Sequence, residues 1–337
     1  MATANYELRP FRDGDEPGLV DCFNRVFVPL GAKPRERAEV DWLLHGNPEG
    51  IRFWVATARA AGDASAGTEQ VVGTYGAIPV RVDVGGEHVH FLHAIDSAID
   101  PAHRAGLKRP GLFVELATKF YEACSQPDDH PLTYGIPTEE AWRIGRKLLD
   151  YELVRPLPVH VFPPLAGHEV PAEVERIERF DEQALWLYHR IAAHHHVALE
   201  RNPAYLNWRY GDHPRHRYHR FGLRDDDGVL RALAIFRTAD LLQQRLCVLV
   251  DWMCPPEDEA YAEPLMRAVQ AVAAAEGASA VVSSVPEWSF WFERFQRLGG
   301  MLHPSPWFCV VRVKHKRFGT WPLRDGWWFQ LGDTDNV

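Results

Sequence analysis

The sequence has few cysteines and none of them in paired spacing. Five cysteines are scattered through the 337 residues: Cys22, Cys124, Cys247, Cys254 and Cys309. An odd, scattered set neither forms a disulfide framework nor supplies the ligand spacing of a structural zinc site. The 17 histidines occur mainly singly or in a run rather than at paired ligand spacing. We therefore expect reduced, mostly buried thiols and no bound metal.

Long apolar runs and an excess of basic residues are also missing. No apolar run approaches the ~20 residues that a transmembrane helix needs, and the opening segment MATANYELRPF lacks a cationic stretch followed by an apolar one. The formal net charge is −9, whereas nucleic-acid binding requires a dense basic surface. These absences predict a cytoplasmic protein whose partners are neither membranes nor nucleic acids.

What is present is the composition of a folded protein with two domains. Apolar residues make up 46% of the chain and charged residues 25%, and a domain takes roughly 100–200 residues. The Pro- and Gly-containing stretch near residue 165 has no periodicity, which is typical of a linker. We predict an N-terminal domain over 5–162, a linker over 163–175, a C-terminal domain over 176–316 and a tail over 317–337. The tail tryptophans must dock on a domain to avoid exposing a large apolar patch.

Hydrophobic periodicity predicts an α/β class in which each domain has a mixed sheet flanked by helices. In the first half the strands are predicted at 6–10, 53–58, 71–82, 88–99, 132–136 and 153–162, and the main helices at 112–124 and 138–149. In the second half the strands are predicted at 218–224, 230–237, 245–253, 280–284 and 308–313, and the helices at 181–193, 257–276 and 287–298. The order of elements repeats, which indicates a duplicated domain.

The segment from Ile95 to Phe113 runs from a strand through a basic loop into a helix. Arg104, Lys108 and Arg109 supply positive charge, and Gly111 lets the backbone approach a ligand closely. The N–H groups at a helix N-terminus carry partial positive charge and bind phosphates. The segment therefore suits a pyrophosphate, although an ordinary loop with solvent-facing basic residues fits the spacing equally.

The order Asp-Pro-x-x-Arg at Asp100–Arg104 followed by Gly111-Leu112-Phe113 resembles the acetyl-CoA loop of the GNAT acyltransferase superfamily. Tyr134–Thr138 resembles the strand and turn that this superfamily places beside the pantetheine arm. Segments of the second half, including Tyr205–Tyr210, resemble tandem-domain GNAT-like proteins. The resemblance covers nearly the whole chain.

The resemblance implies a tandem GNAT-like fold and transfer of an acyl group from acetyl-CoA, or another acyl-CoA, to a primary amine of a small molecule. It implies direct attack in a ternary complex, without a metal. The cofactor-binding residues that it implies are Ser97, Ala98, Ile99, Arg104, Lys108, Arg109, Pro110, Gly111, Leu112, Phe113 and Thr138. Among them, the backbone of Ser97–Ile99 is expected to pair with the pantetheine amides.

Three residues are candidates for proton transfer. Asp96 is placed to deprotonate an ammonium acceptor, and Tyr134 or Tyr151 to protonate the departing thiolate. Each also fits a structural role, as a paired carboxylate or a buried hydrogen-bonded tyrosine. Arg146 stands where the superfamily often has its tyrosine acid.

The second domain has different chemistry at the corresponding turn. Cys254–Glu259 is acidic and lacks glycine, so it repels a diphosphate and we expect no CoA there. His194–His196 are expected at a solvent-exposed helix end, and the aromatic run from Trp288 to Phe295 in the core. Two other functions stay open: a catalytically inactive GNAT-like binding or scaffold protein, and an aminoacyl-tRNA-dependent transferase.

Overall fold

A computed structural model describes residues 6–59, 69–104, 111–125, 130–314 and 318–335. The strands are β1 Tyr6–Pro10, β2 Arg52–Ala58, β3 Gln70–Val84, β4 Glu87–Ile99, β5 Leu132–Gly135, β6 Glu152–Pro156, β7 Val159–Phe162, β8 Glu175–Arg176, β9 Val197–Leu199, β10 His219–Arg224, β11 Leu230–Leu241, β12 Gln244–Met253, β13 Ala280–Ser283, β14 Met301–His303, β15 Phe308–Val313 and β16 Trp327–Trp328. The α-helices are α1 Glu16–Phe27, α2 Arg37–His45, α3 Leu112–Cys124, α4 Glu139–Leu148, α5 Glu182–Ala192, α6 Pro203–Leu206, α7 Ala262–Ala275, α8 Phe290–Arg297 and α9 Thr320–Gly326.

The chain divides into two compact units. The first contains the residues up to Val80, His90–Leu153 and Val310–Gly319. The second contains Arg81–Val89, Val154–Cys309 and the residues from Thr320 onwards. Each unit is built around a mixed sheet with helices packed against it, so the α/β class predicted from periodicity is confirmed.

The two sheets have the same topology, because corresponding strands of the two units occupy the same positions in each sheet. The first runs β1-β2-β3-β4-β5-β15-β6, and the second runs β8-β10-β11-β12-β13-β7-β14. In each sheet the penultimate position is filled by a strand from the other half of the chain. Val310–Val313 of β15 pair with Leu132–Gly135, and Val159–Phe162 form β7 of the second sheet. The single strand predicted over 153–162 is therefore wrong: it is two strands, β6 of the first sheet and β7 of the second, because strand pairing with distant segments decides which sheet each one joins.

The core of the first unit has two layers because neighbouring strand residues point to opposite faces. Val71 belongs to one layer and Val72 to the other. Helix α1 contributes side chains three or four positions apart to the layer that contains Val71. Helix α3 contributes side chains with the same spacing to the layer that contains Val72. The α1 residues are Leu19, Cys22 and Val26; those of α3 are Leu112, Leu116 and Phe120.

The core of the second unit follows the same rule. Along β11, Ala232, Ala234 and Phe236 face the layer of α7, whereas Leu233 and Ile235 face the layer of α5. A small ladder adds to this unit, in which β9 pairs with Val82–Val84 and with β16. Pairing in this ladder buries Trp327 and Trp328.

No helix in the described part of the chain is long and apolar enough to cross a membrane.

A charged cluster is fully buried in the second unit. The Arg201 guanidinium donates to Asp251 Oδ1 at 2.7 Å and to Asp333 Oδ1 at 2.6 Å, and all three side chains are inaccessible to solvent. Tyr210 Oη donates to Asp251 Oδ2 at 2.5 Å. Buried carboxylates are tolerated only when they are paired and hydrogen-bonded. The cluster therefore ties the segment after β16 to β12.

We expect Arg201→Met to lower the free energy of unfolding by about 3–5 kcal/mol, because it leaves two buried carboxylates without their cation. Chemical denaturation followed by circular dichroism measures this loss. Arg297→Met is the control, since that side chain is 65% exposed and lies 3.9 Å from Glu293. Its effect should stay below about 0.5 kcal/mol. Equal losses in the two variants would contradict the structural role of the cluster.

Candidate functional site

Strands β4 and β5 of the first unit are parallel and differ in length. Their register pairs Leu92 with Thr133 and His93 with Tyr134. β5 ends at Gly135, while β4 continues to Ile99. The predicted residues Ser97, Ala98 and Ile99 therefore lie beyond the end of β5. An extended ligand with amide groups can pair with such an unpaired strand edge.

Asp96 lies in this continuing part of β4 and has an unusual backbone conformation. Its φ is 47°, a left-handed value that few residues other than glycine, asparagine and aspartate adopt. The main-chain oxygen accepts a hydrogen bond from Thr74 Oγ1 at 2.5 Å. This irregularity in the strand turns the Asp96 side chain into a small recess of the first unit.

Arg35 is a partner of Asp96 that the sequence analysis missed. Its guanidinium is in close contact with the Asp96 carboxylate and lies 3.7 Å from the centroid of the Phe23 ring. The recess that these residues line holds about 10 Å³, which is room for one water molecule. Neither Tyr134 nor Tyr151 lines it.

The turn after β4 is held by Asp100 and Arg104. Asp100 accepts a hydrogen bond from the Ala102 N–H at 3.0 Å and from Arg25 Nε at 2.6 Å. Burial raises the pKa of Asp100, but these two donors outweigh burial and the net pKa is lowered. Arg104 Nε donates to the Ile99 oxygen at 3.0 Å. Arg104 is thus held at the end of β4, where a phosphate-binding cation was predicted.

Lys108, Arg109 and Pro110, the other predicted members of the phosphate loop, lie outside the described residues. The chain is described again from Gly111, which is the N-cap of α3 and provides no side-chain cap. The first N–H groups of a helix lack partners within it. With a glycine cap, these groups stay available to an anion such as a diphosphate.

Leu112 and Phe113 were also predicted to bind the cofactor. Their side chains pack in the core of the first unit. Leu112 is buried, and the Phe113 ring lies 5.9 Å from that of Tyr75. The Leu112 side chain is therefore closed to a ligand, whereas Phe113 is only partly buried. Thr138 caps α4, since its Oγ1 accepts from the Ala141 N–H at 3.3 Å. The helix predicted over 138–149 begins at this cap, and the cap engages the hydroxyl predicted to bind the cofactor.

The two candidate tyrosines have different surroundings. Tyr134 is the last β5 residue in register with β4, and its ring stacks on His93 at 4.8 Å. The Tyr151 hydroxyl forms hydrogen bonds with Tyr75 Oη at 2.8 Å and with Tyr121 Oη at 3.2 Å. Burial raises the pKa of Tyr151. Tyr151 therefore belongs to a buried cluster of three tyrosines.

The corresponding turn of the second unit carries negative charge. A 3₁₀-helix over Pro256–Tyr261 follows β12. Arg190 contacts Glu257 at 2.7 Å and Asp258 at 2.5 Å, and Arg294 contacts Glu259 at 2.6 Å. A diphosphate would meet three carboxylates at this position.

Among the described residues, no three His, Cys, Asp or Glu side chains gather as a metal site requires.

No protein-family model matches the sequence. No curated protein matches it either.

Solved structures match the fold over almost the whole chain. A conserved protein from Enterococcus faecalis V583, described as a probable N-acyltransferase, has a TM-score of 0.64 and 13% identity, over 92% of this chain and 73% of that one. A GCN5-related N-acetyltransferase from Anabaena variabilis has a TM-score of 0.63 and 16% identity, with the same coverages. The Saccharomyces cerevisiae N-myristoyltransferase with bound myristoyl-CoA has a TM-score of 0.59 and 11% identity, over 92% and 81%. The chain therefore has a GNAT-like fold with two domains in tandem, as its sequence resemblance implied.

Proposed function

We propose that this protein is an acyl-CoA-dependent N-acyltransferase that acylates a primary amine of a small molecule. One observation carries the proposal: β4 continues past the end of β5, and α3 begins after a basic stretch of the sequence at Gly111, an N-cap without a side chain. The GNAT-like fold supports it, because the structural neighbours include an N-acetyltransferase and an N-myristoyltransferase. Acetyl is the simplest acyl group to test first.

The residues of the first unit fit an acyl-CoA. The main chain of Ser97–Ile99 would pair with the pantetheine amides, and the first N–H groups of α3 would bind the diphosphate together with Arg104. A bound acyl-CoA supplies an activated thioester. N–H groups of β4 next to the thioester carbonyl would stabilise the negative charge that develops on its oxygen.

Asp96 is the proposed base and Tyr134 the proposed acid. Arg35 fixes the orientation of the Asp96 carboxylate, which would accept a proton from the ammonium acceptor directly or through the water-sized recess beside it. Tyr134 is proposed because it lies where β4 and β5 stop pairing, whereas the Tyr151 hydroxyl is engaged by those of Tyr75 and Tyr121. Tyr151 is then a packing residue.

Gly111→Asp should weaken acetyl-CoA binding at least about tenfold, because it places an anion at the proposed diphosphate position. Aspartate is a favourable N-cap, so α3 should stay folded. Gly111→Asn is the matched control, since it caps equally well without a charge and should bind within about threefold of the unmodified protein. Isothermal titration calorimetry measures all three affinities. Equal affinities for the two variants would exclude this diphosphate position.

Asp96→Asn should lower kcat by about 10²–10⁴-fold and leave acetyl-CoA affinity unchanged. Asparagine adopts left-handed backbone conformations as aspartate does, so the substitution removes the charge without straining β4. Turnover is followed as thiol release from acetyl-CoA across a panel of primary amines and polyamines. A loss of thermal stability with unchanged kcat would assign Asp96 a structural role as the partner of Arg35.

Tyr134→Phe and Tyr151→Phe form a second matched pair. Tyr134→Phe should lower kcat about tenfold or more, whereas Tyr151→Phe should keep kcat within about twofold. Tyr151→Phe should instead cost about 1–3 kcal/mol of stability, because it leaves buried hydroxyls of Tyr75 and Tyr121 short of a partner. The reverse pattern of kcat values would assign the acid to Tyr151. Acyl-CoA binding without turnover of any amine would favour the inactive binding protein.

A further inference from the structure

The second unit contains an aromatic cavity of about 330 Å³. It lies where β12 extends beyond its parallel neighbour β13. Leu246 pairs with Ala280 and Val248 with Val282. β13 ends at Ser283, whereas β12 continues to Met253. This is the position that the open edge of β4 occupies in the first unit. Seven aromatic rings line the cavity: those of His194, His195, Trp252, Trp288, Phe290, Trp291 and Trp328.

The rings present both faces and edges around the space. The His195 ring is parallel to that of Trp328 at 5.7 Å and lies edge-on to that of Trp288 at 5.4 Å. Trp252 and Trp291 meet edge to face at 5.4 Å. The sequence analysis expected the Trp288–Phe295 run in the core. Trp291 and Phe295 are buried there, but Trp288 and Phe290 are only partly buried and face the cavity.

Two polar atoms of the wall are buried and have no hydrogen-bond partner within the described part of the chain. They are the indole Nε1 of Trp252 and Nδ1 of His195. Trp252 is almost completely buried. Other indole groups here are satisfied: Trp288 Nε1 donates to the Arg324 oxygen at 2.9 Å and Trp291 Nε1 to the Cys254 oxygen at 2.7 Å. Both atoms are covered by neighbouring groups, so the wall meets a ligand through its rings and not through these two atoms.

The charge around the cavity favours a cation. Of the described lining residues none is a lysine or an arginine, and the two histidines are its titratable groups apart from the Cys254 thiol. Burial lowers the pKa of His195 to about 4, which leaves the ring neutral at pH 7. His194 contacts Glu257 at 3.1 Å, and Arg190 is shared between Glu257 and Asp258. Two more arginines lie over rings of the cavity: Arg294 is 4.6 Å from the Phe290 ring and pairs with Glu259, and Arg201 is 5.4 Å from the Trp328 ring and pairs with Asp251 and Asp333. The five carboxylates of these ion pairs outnumber the three arginines, so the charge next to the cavity is negative on balance.

The position of His195 differs from the sequence prediction. A solvent-exposed helix end was expected for all three histidines, and His194 is indeed 43% exposed. His195 is only partly exposed and lines the cavity. The chain turns directly after it into β9, whose pairing with β3 and β16 holds this segment against the second unit.

We propose that the aromatic cavity of the second unit binds a small organic ammonium ion. The rings would hold the cation by cation–π attraction, which is strongest for tryptophan. Every described residue that lines the cavity belongs to the second unit, so binding of an ammonium ion there can be measured without acyl-CoA.

The first test compares two ligands of the same shape that differ in charge. Choline and its uncharged isostere 3,3-dimethylbutan-1-ol both carry a hydroxyl group, so a difference between them reports the charge. We expect choline to bind at least about tenfold more tightly, measured by tryptophan fluorescence and calorimetry without acyl-CoA. Equal affinity for the two compounds, or binding of neither at about 50 mM, would overturn the proposal. A failure of acetyl-CoA to bind the first unit would leave this result unaffected.

The second test removes one ring of the cavity. Trp288→Leu should weaken choline binding about tenfold, and Trp288→Phe, which keeps a ring, by about threefold. Trp321→Leu is the control, because that indole is 71% exposed and does not line the cavity. Thermal melts establish that each variant is folded. Choline affinity that is unchanged in Trp288→Leu would refute the ring cage.

Discussion

Backbone groups at the end of a strand need partners, and in each unit one strand extends past its parallel neighbour. β4 extends past β5 in the first unit, and β12 extends past β13 in the second. Beyond the end of the shorter strand, the N–H and C=O groups of the longer strand have no hydrogen-bond partner in that neighbour, so they bind water or a ligand. Both binding sites proposed for this protein lie at such an opening. The lengths of two short strands therefore determine where chemistry is possible.

The two openings differ in what surrounds them. In the first unit a basic segment leads into a glycine-capped helix, an arrangement suited to a diphosphate. In the second, carboxylates occupy the turn and indole rings line the cavity. The anion site proposed for one unit and the cation site proposed for the other thus share one topology, because side chains and not strand order determine the charge.

Periodicity predicted most of the longer strands and helices, since residues of a strand alternate between two faces and those of a helix recur every three to four positions. It missed α2, β9 and β14, and it merged β6 and β7 into one strand. The N-cap role of Thr138 was equally readable, because the cap is local. Pairings between distant residues were not. Arg35 meets Asp96 across 61 positions, and nothing in either neighbourhood signals the other. The exchange of β7 and β15 was hidden for the same reason: each strand has an ordinary strand pattern that does not encode which sheet it joins.

The sequence by itself determined the class of fold, the order of elements, the acidic character of the second turn and the presence of a glycine before α3. These are local properties, fixed by composition and by neighbours a few positions away. Tertiary structure alone decided that Tyr151 lies in a closed tyrosine cluster, that Asp96 faces an arginine, and that His195 joins four tryptophans around one cavity. Such groupings depend on long-range packing, in which residues far apart in the chain compete for the same buried space.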